Sequence, residues 1–206
     1  IPEADPLQNH VDQILSTTER AATLTKRLLT YGTRKGSSLQ PCDLASLTNH
    51  QAKFLAGVLP AAVRLTVASD ANAVPVMADS PQIERIMMNL VVNARDAMPS
   101  GGTIEVRTGI THIGADFIKK NTFGKPGAYA FLSVRDTGAG MDASVCKRVF
   151  EPFFSTKGTG KGTGFGLSIV YDIVKDHQGY VTVASTPGTG SLFTVYLPLT
   201  EASTAP

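Results

Sequence analysis

The chain has 206 residues, of which 42% are hydrophobic and 17% charged, and its formal net charge is +2. This length is enough for one full core and an appendage. The charge argues against a nucleic-acid surface, and no apolar run approaches the roughly 20 residues of a membrane span. Two cysteines, Cys42 and Cys146, fit no metal cluster and indicate a reducing compartment. The sequence opens on Ile1 without a methionine, so we expect a fragment.

A heptad pattern predicts one long helix over residues 7–31. Apolar or small side chains recur at alternating intervals of four and three: Leu7, Val11, Ile14, Thr18, Ala21, Thr25 and Leu28. A lone helix of this kind is marginal in water. We favour a bundle helix at a dimer interface over a core helix of the main domain. Glycine, lysine and serine then predict a linker, so the first region is placed at residues 1–36.

Residues 37–200 are predicted to form the main domain, followed by a tail over residues 201–206. Helices are predicted over 43–58, 80–97, 142–150 and 166–177. Strands are predicted over 63–68, 74–77, 103–111, 129–134, 180–184 and 192–197, with a loop or hairpin tip over 113–127. Strands cluster late and helices are interspersed, which favours an α+β two-layer sandwich with a mixed sheet, preceded by one long helix.

The helix that begins at Ser80 carries Asn89 and Asn93 on one face, four residues apart. A helix interior is a poor position for asparagine. An amide oxygen, together with phosphate and water oxygens, is ordinary coordination for Mg²⁺. The pair therefore indicates either a metal-binding face or two surface asparagines.

Asp136-Thr137-Gly138-Ala139-Gly140 directly follows a predicted strand. A carboxylate at a strand end can accept a hydrogen bond from an exocyclic amine such as that of adenine. Gly138 and Gly140 would let the backbone approach the ring closely. The alternative is a surface turn, in which Asp and Gly are common. The pattern fits neither the dinucleotide fingerprint nor a Walker A loop.

Five glycines fall within the nine residues 158–166, directly before an apolar helical run. This density predicts a mobile loop that feeds a helix N-terminus suited to phosphates. Lys157 and Lys161 lie in this loop and either reach phosphates or only add solubility. The three aromatic residues of Phe150-Glu151-Pro152-Phe153-Phe154 are expected to anchor the loop to the core. We expect the loop to order only with a triphosphate and magnesium.

A Pro187-Gly188-Thr189-Gly190 turn joins the last two predicted strands. In order, these motifs and this turn resemble the N, G1, F, G2 and G3 boxes of the catalytic ATP-binding domain of bacterial sensor histidine kinases. Asn-Ala-Arg-Asp-Ala-Met-Pro and Phe-Phe-Ser-Thr-Lys are most similar to the nitrogen-regulation and hybrid-kinase branch. The resemblance covers residues 39–198. It implies the Bergerat or GHKL fold shared with gyrase, Hsp90 chaperones and MutL, in which helices pack on one face of a mixed sheet.

The resemblance implies ATP and Mg²⁺ as cofactors. It assigns Asn93 to magnesium, Asp136 to the adenine amine, and Asn89 to support of the catalytic site. It assigns the adenine pocket to Gly138 and Gly140. It assigns the hinge of the ATP lid to Gly162, Gly164 and Gly166. It places the helix start at Leu167 near the phosphates.

Two positions depart from the commonest pattern of these kinases. Asp96 stands where many have a phosphate-contacting lysine, and Ser155 where many have arginine. The phosphate charge must then be met by other basic residues. The candidates are Lys157, Lys161 and Arg95.

The resemblance also implies a phosphoacceptor histidine, followed by an acidic and then an apolar residue. None of the four histidines has this pattern, so we expect the acceptor upstream of Ile1. Residues 7–31 resemble the second helix of the dimerising hairpin, through Glu19-Arg20-Ala21-Ala22. The implied partners are a response regulator or receiver domain and a second copy of the chain. We expect a cytoplasmic location, free or as the cytoplasmic part of a membrane-bound sensor, without membrane or nucleic-acid contact by this fragment.

Two other functions remain open from the sequence. One is an ATPase of the gyrase, Hsp90 or MutL kind, and the other is a non-catalytic nucleotide-sensing scaffold. Those ATPases use a glutamate four residues before the metal asparagine, where this chain has Asn89. We therefore expect slow hydrolysis.

Overall fold

The computed structural model describes residues 38–121, 124–157 and 164–200, together with His10, Val11 and Thr18. Those last three residues are helical, as the heptad pattern predicts. The rest of the predicted N-terminal helix, the linker and the tail lie outside the described residues. The chain divides into two compact units, Ile1–Ser37 with Ser155–Thr163 and Ser38–Phe154 with Gly164–Pro206. The fold described below is that of the second unit.

The second unit contains strands interspersed with helices along the described chain. Its strands are β1 (Gln40–Asp43), β2 (Val63–Ser69), β3 (Pro75–Ala78), β4 (Gly102–Ile113), β5 (Gly127–Asp136), β6 (Tyr180–Thr186) and β7 (Gly190–Pro198). Its helices are α1 (Leu44–Val58), α2 (Ser80–Asp96), α3 (Ala115–Asn121), α4 (Ala143–Arg148) and α5 (Gly166–Asp176). No helix of the described ranges is long and apolar enough to cross a membrane.

Five strands form one mixed sheet in the order β2-β4-β5-β7-β6. β2 runs parallel to β4, and the other neighbouring pairs are antiparallel. Along β4, Ile104 and Val106 are fully buried whereas Arg107 is exposed, so one face of the sheet covers the core. Apolar residues of α1, α2 and α5 belong to the same buried core. The predicted α+β sandwich with a mixed sheet is confirmed.

The two longest helices begin where the sequence predicts, because each has an aspartate cap. Asp43 accepts hydrogen bonds from the Ala45 and Ser46 N–H groups at the start of α1. It also accepts one from the Val74 N–H at 2.7 Å, which ties α1 to the segment before β3. Asp79 caps α2 by accepting from the Gln82 N–H. These side chains satisfy N–H groups that have no partner within the helix.

The segment predicted as a loop or hairpin tip contains a short helix instead. Helix α3 begins at Ala115, and the Asn121 amide donates to the Phe117 carbonyl at its end. The Phe117 ring lies edge-on to Tyr196 at 5.2 Å. Tyr196 lies between the buried Val195 and Leu197 on β7, so this contact is on the face away from the core. Strand β1, also absent from the prediction, pairs with β3 over only four residues.

Candidate nucleotide-binding site

Asp136 ends strand β5 with a side chain that is 4% exposed. Its Oδ1 accepts hydrogen bonds from the N–H groups of Gly138 at 2.8 Å and Ser191 at 3.2 Å. Burial raises the pKa of this carboxyl, and the two N–H groups act against that rise. Among the described residues, Oδ2 has no hydrogen-bond donor. Oδ2 is therefore the oxygen of this carboxylate that the site offers to a ligand.

The loop after Asp136 is compressed between two parts of the backbone, which explains its glycines. A Cβ on Gly138 would lie 2.7 Å from the Ala97 carbonyl oxygen at the end of α2. Gly140 has φ +66°, and a Cβ there would collide with the Thr186 carbonyl. The loop is thus in contact with α2 on one side and with the β6–β7 hairpin on the other. Both glycines thus allow close approach to protein backbone. Their predicted approach to the adenine ring stays a prediction.

Asn89 and Asn93 meet the start of helix α5. A Cβ on Gly166 would lie 3.1 Å from Asn89 Oδ1 and 3.5 Å from Asn93 Nδ2. The Asn89 amide donates to the Arg85 carbonyl at 2.8 Å, which holds its oxygen toward Gly166. Within the described chain, the Asn93 side chain has no hydrogen-bond partner. The structure therefore brings the asparagine pair together with Gly166, which the sequence analysis places in a different motif.

The first turn of α5 lacks a side-chain cap. Phe165 stands at the cap position and makes no capping hydrogen bond. The Ser168 hydroxyl donates to the Phe165 carbonyl, so it does not satisfy the N–H groups of Gly166 and Leu167. Uncapped N–H groups at a helix start favour an anion. This turn lies beside the two asparagines. An anion bound at the helix start could therefore also coordinate a cation held by an asparagine amide.

The two ends of the glycine-rich segment are held together by aromatic rings. Phe153 and Phe165 stack edge-to-face with centroids 4.6 Å apart. Gly164 has φ +66°, and a Cβ there would collide with the Phe153 backbone. Phe150 lies against Phe193 and α5, as the predicted anchoring role requires. We call this arrangement of Phe153, Gly164 and Phe165 the lid stem.

The basic residues proposed for the phosphates have different outcomes. Lys161 and Gly162 lie in residues 158–163, outside the described residues, and so does the prediction about lid ordering. Lys157 belongs to the other compact unit, where its N–H donates to the Ser155 hydroxyl at 3.1 Å. Its contact with phosphates stays a prediction. Arg95 donates to the Asp96 carboxylate from both Nε and a terminal nitrogen, so its charge is partly neutralised.

Three contributors to the site were missed by sequence reasoning. Ser191 supplies a backbone N–H to Asp136, Thr186 supplies the backbone against Gly140, and Ala97 accepts a hydrogen bond from the Ala139 N–H at 3.0 Å. All act through the backbone, so their side chains gave no chemical signal. The Pro187-Gly188-Thr189-Gly190 turn was the available clue.

The described residues could hold a magnesium ion only if a side-chain amide and the phosphates of a bound ligand together supplied its oxygen ligands. The described residues contain no group of three or more His, Cys, Asp or Glu side chains suited to a metal. Asn93 offers a half-buried amide without a protein partner. Magnesium is commonly bound by one or two protein oxygens with phosphates and waters, so this sparse donor set is compatible with it.

Comparison with known proteins identifies the family. Residues 78–201 match the histidine kinase-, DNA gyrase B- and HSP90-like ATPases. The match covers more than half of the chain, and the chain belongs to this family. The sensor kinase CckA of Brucella abortus strain 2308 is 38% identical over 196 residues, which is 95% of this chain and 21% of CckA. The chain thus spans about a fifth of the length of that curated relative.

Solved structures of histidine kinases share the fold. Full-length ShkA in complex with AMPPNP has a TM-score of 0.64 at 24% identity, covering 80% of this chain and 32% of that chain. Histidine kinase ThkA in complex with the response regulator protein TrrA has a TM-score of 0.66 at 20% identity, covering 97% and 53%. The mixed sheet and its helices are therefore the arrangement found in histidine kinases.

Proposed function

We propose that this chain is the ATP-binding catalytic part of a two-component sensor histidine kinase. It would transfer the γ-phosphoryl group of ATP to a histidine outside this sequence. The observation that carries the proposal is the meeting of Asn89 and Asn93 with the uncapped start of α5 at Gly166. A cation-binding amide beside an anion-binding helix start suits a metal-bound triphosphate.

The base would lie at Asp136, whose Oδ2 would accept a hydrogen bond from the adenine amine. Asn93 would hold Mg²⁺, which when bound neutralises phosphate charge. Asn89 keeps its oxygen at the start of α5, where it would orient the site. The chain's own contribution to phosphoryl transfer is then positioning and charge neutralisation. The acid–base residue would lie beside the acceptor histidine on the first helix of the hairpin.

The partners follow from the same proposal. A response regulator or receiver domain would take the phosphoryl group from the histidine, and a second copy of the chain would pair through the helical hairpin. The ThkA structure contains a response regulator protein, which supports the first of these partners by analogy. The proposal also includes Mg²⁺ as the metal, dimerisation and a cytoplasmic location.

Binding is tested by calorimetry with AMPPNP, with and without Mg²⁺. Asn93→Ala should abolish the magnesium dependence of the affinity, because the amide oxygen would be lost. Asn121→Ala is the matched control, since it also removes a helical asparagine amide, from α3. Equal magnesium dependence in wild type and Asn93→Ala would refute the metal assignment.

Transfer is tested with γ-labelled ATP and a separately supplied hairpin that carries the acceptor histidine. We expect label on the hairpin and slow release of free phosphate. Rapid hydrolysis by the chain alone would instead favour a gyrase-like ATPase. Binding without either reaction would favour a nucleotide-sensing scaffold.

A further inference from the structure

The Ser185 hydroxyl, on β6, joins three neighbouring pieces of backbone. Its oxygen accepts a hydrogen bond from the Met141 N–H and donates one to the Gly190 carbonyl oxygen, both at 2.8 Å. The Ser191 hydroxyl oxygen lies 3.0 Å away. A serine hydroxyl has one proton and two lone pairs. Since the proton of Ser185 is used on Gly190, Ser191 must be the donor in the serine pair, and the bonding capacity of Ser185 is filled.

The Gly190 carbonyl and the Ser191 N–H belong to the same planar peptide group. Ser185 holds the carbonyl end of this group, and Asp136 Oδ1 accepts from its N–H end at 3.2 Å. In a trans peptide the two groups point in opposite directions, so fixing one fixes the other. Ser185 therefore acts on Asp136 through a rigid plane, without touching it.

The peptide needs such a constraint because of the residue that precedes its N–H. Gly190 has φ +109°, in a region that only glycine enters readily, and a Cβ there would collide with the Asp136 carbonyl oxygen. A side chain is thus excluded where the turn passes Asp136. Glycine allows the peptide more rotation than another residue would. The pairing of Gly190 with Thr186 on β6 limits this rotation, and the Ser185 hydrogen bond limits it further at the carbonyl itself.

We propose that Ser185 is a positioning residue for recognition of the nucleotide base. By orienting the Gly190–Ser191 peptide, it keeps Oδ1 of Asp136 bonded to the protein and directs Oδ2 to the ligand. Through the Met141 N–H it also holds the far end of the loop that follows Asp136. This inference rests on the nucleotide-binding function proposed above.

The test is calorimetric titration of the 206-residue chain with AMPPNP and Mg²⁺, from acidic to neutral pH. Ser185→Ala should weaken binding about tenfold, the size expected when a hydrogen bond to a charged group is lost. The acid limb of its binding profile should move to higher pH. The Ser191 N–H opposes the rise in the pKa of Asp136 caused by burial, so losing that N–H leaves the carboxyl easier to protonate.

A control separates peptide orientation from general loss of a hydroxyl. Ser69→Ala removes a hydrogen bond of similar length, 2.7 Å to the Ala71 carbonyl, on β2 at the other edge of the sheet. This variant should bind AMPPNP within about twofold of wild type, because it leaves the Gly190–Ser191 peptide held. Ser185→Cys keeps the size with a weak donor, and replaces the alanine variant if that variant does not fold.

The outcomes are distinct for the two proposals. If the wild-type chain does not bind AMPPNP, the proposed function itself is wrong. If wild type binds and the Ser185 variant binds equally well with an unmoved acid limb, the positioning role is refuted. Equal losses in the Ser185 and Ser69 variants would also refute it, since they would indicate a general effect of losing a hydroxyl.

Discussion

Replacing Asp136 by asparagine tests the base site with little change in shape. The asparagine oxygen would keep the two hydrogen bonds from Gly138 and Ser191 that now end on Oδ1. The amide nitrogen would then stand where Oδ2 stands, as a donor facing the donor amine of adenine. The variant therefore reverses the one polar group that the site offers to the base.

The magnitude follows from two contributions to the binding free energy. Losing a hydrogen bond to a charged acceptor costs about 1.5–3 kcal/mol, and leaving a buried donor unpaired costs about 1–3 kcal/mol more. Together they predict roughly a hundredfold to ten-thousandfold loss of affinity, at about 1.4 kcal/mol per tenfold change. The loss of affinity in Asp136→Asn should thus be larger than the loss in Ser185→Ala, because Asp136 would contact the base directly.

The stability of the Asp136→Asn variant should change in the opposite sense. Burial raises the pKa of Asp136, so its ionised form disfavours the folded state above the unfolded pKa. The neutral amide removes that penalty, and we expect the melting temperature at neutral pH to be equal to or above that of wild type. Calorimetry with AMPPNP and thermal melting should be run on Asp136→Asn and on Asp70→Asn, an exposed carboxylate paired with Arg107. Wild-type affinity in a folded Asp136→Asn protein would refute the base assignment.

Two further predictions concern stability. Asp43→Ala should lower the free energy of unfolding by about 2 kcal/mol, since it removes the α1 cap and the acceptor for Val74. Burial alone would raise the pKa of Asp43, but hydrogen bonds from Ser46 and Val74 lower it below 3.8. The loss of stability should therefore shrink as pH falls below that value. Urea unfolding at acidic and neutral pH measures this, and a pH-independent difference would contradict it. Phe165→Ala should cost about 3 kcal/mol in the same assay because its ring is 4% exposed. Phe153 is 45% exposed, so Phe153→Ala should cost only about 1 kcal/mol, mostly from loss of its ring contact with Phe165. Equal losses in the two variants would contradict the larger contribution expected of the buried ring.

Local chemistry made most of the site predictable from sequence. Asn89 and Asn93 share a face because of helical periodicity, and Asp136 ends a strand whose alternation is clear. The glycines at 138 and 140 were expected to let the backbone approach adenine; the structure shows each packed against protein backbone, and the approach to the base stays a prediction. In each case the signal lies within a few residues, so the tertiary arrangement was not needed to detect it.

What could not be predicted depends on contacts between distant segments. Ser191 reaches Asp136 across 55 positions because β7 lies beside β5, and neighbouring strand order is not encoded in local periodicity. Helix α3 is seven residues long, too short for a periodic signal, and its aromatic contact with Tyr196 is again non-local. The same reason explains why β1, with four residues, was missed.

The lid stem makes the domain tolerant of changes in the length of the glycine-rich segment. Because Phe153 and Gly164 are in backbone contact, the segment between them begins and ends at nearly one point. Lengthening a loop whose ends are already joined adds little entropic cost, about 0.6 kcal/mol for each doubling of its length. The folded unit is therefore largely insulated from insertions, deletions or replacement of the lid. Selection could vary the segment that we propose for the phosphates almost independently of the stability of the domain that carries it.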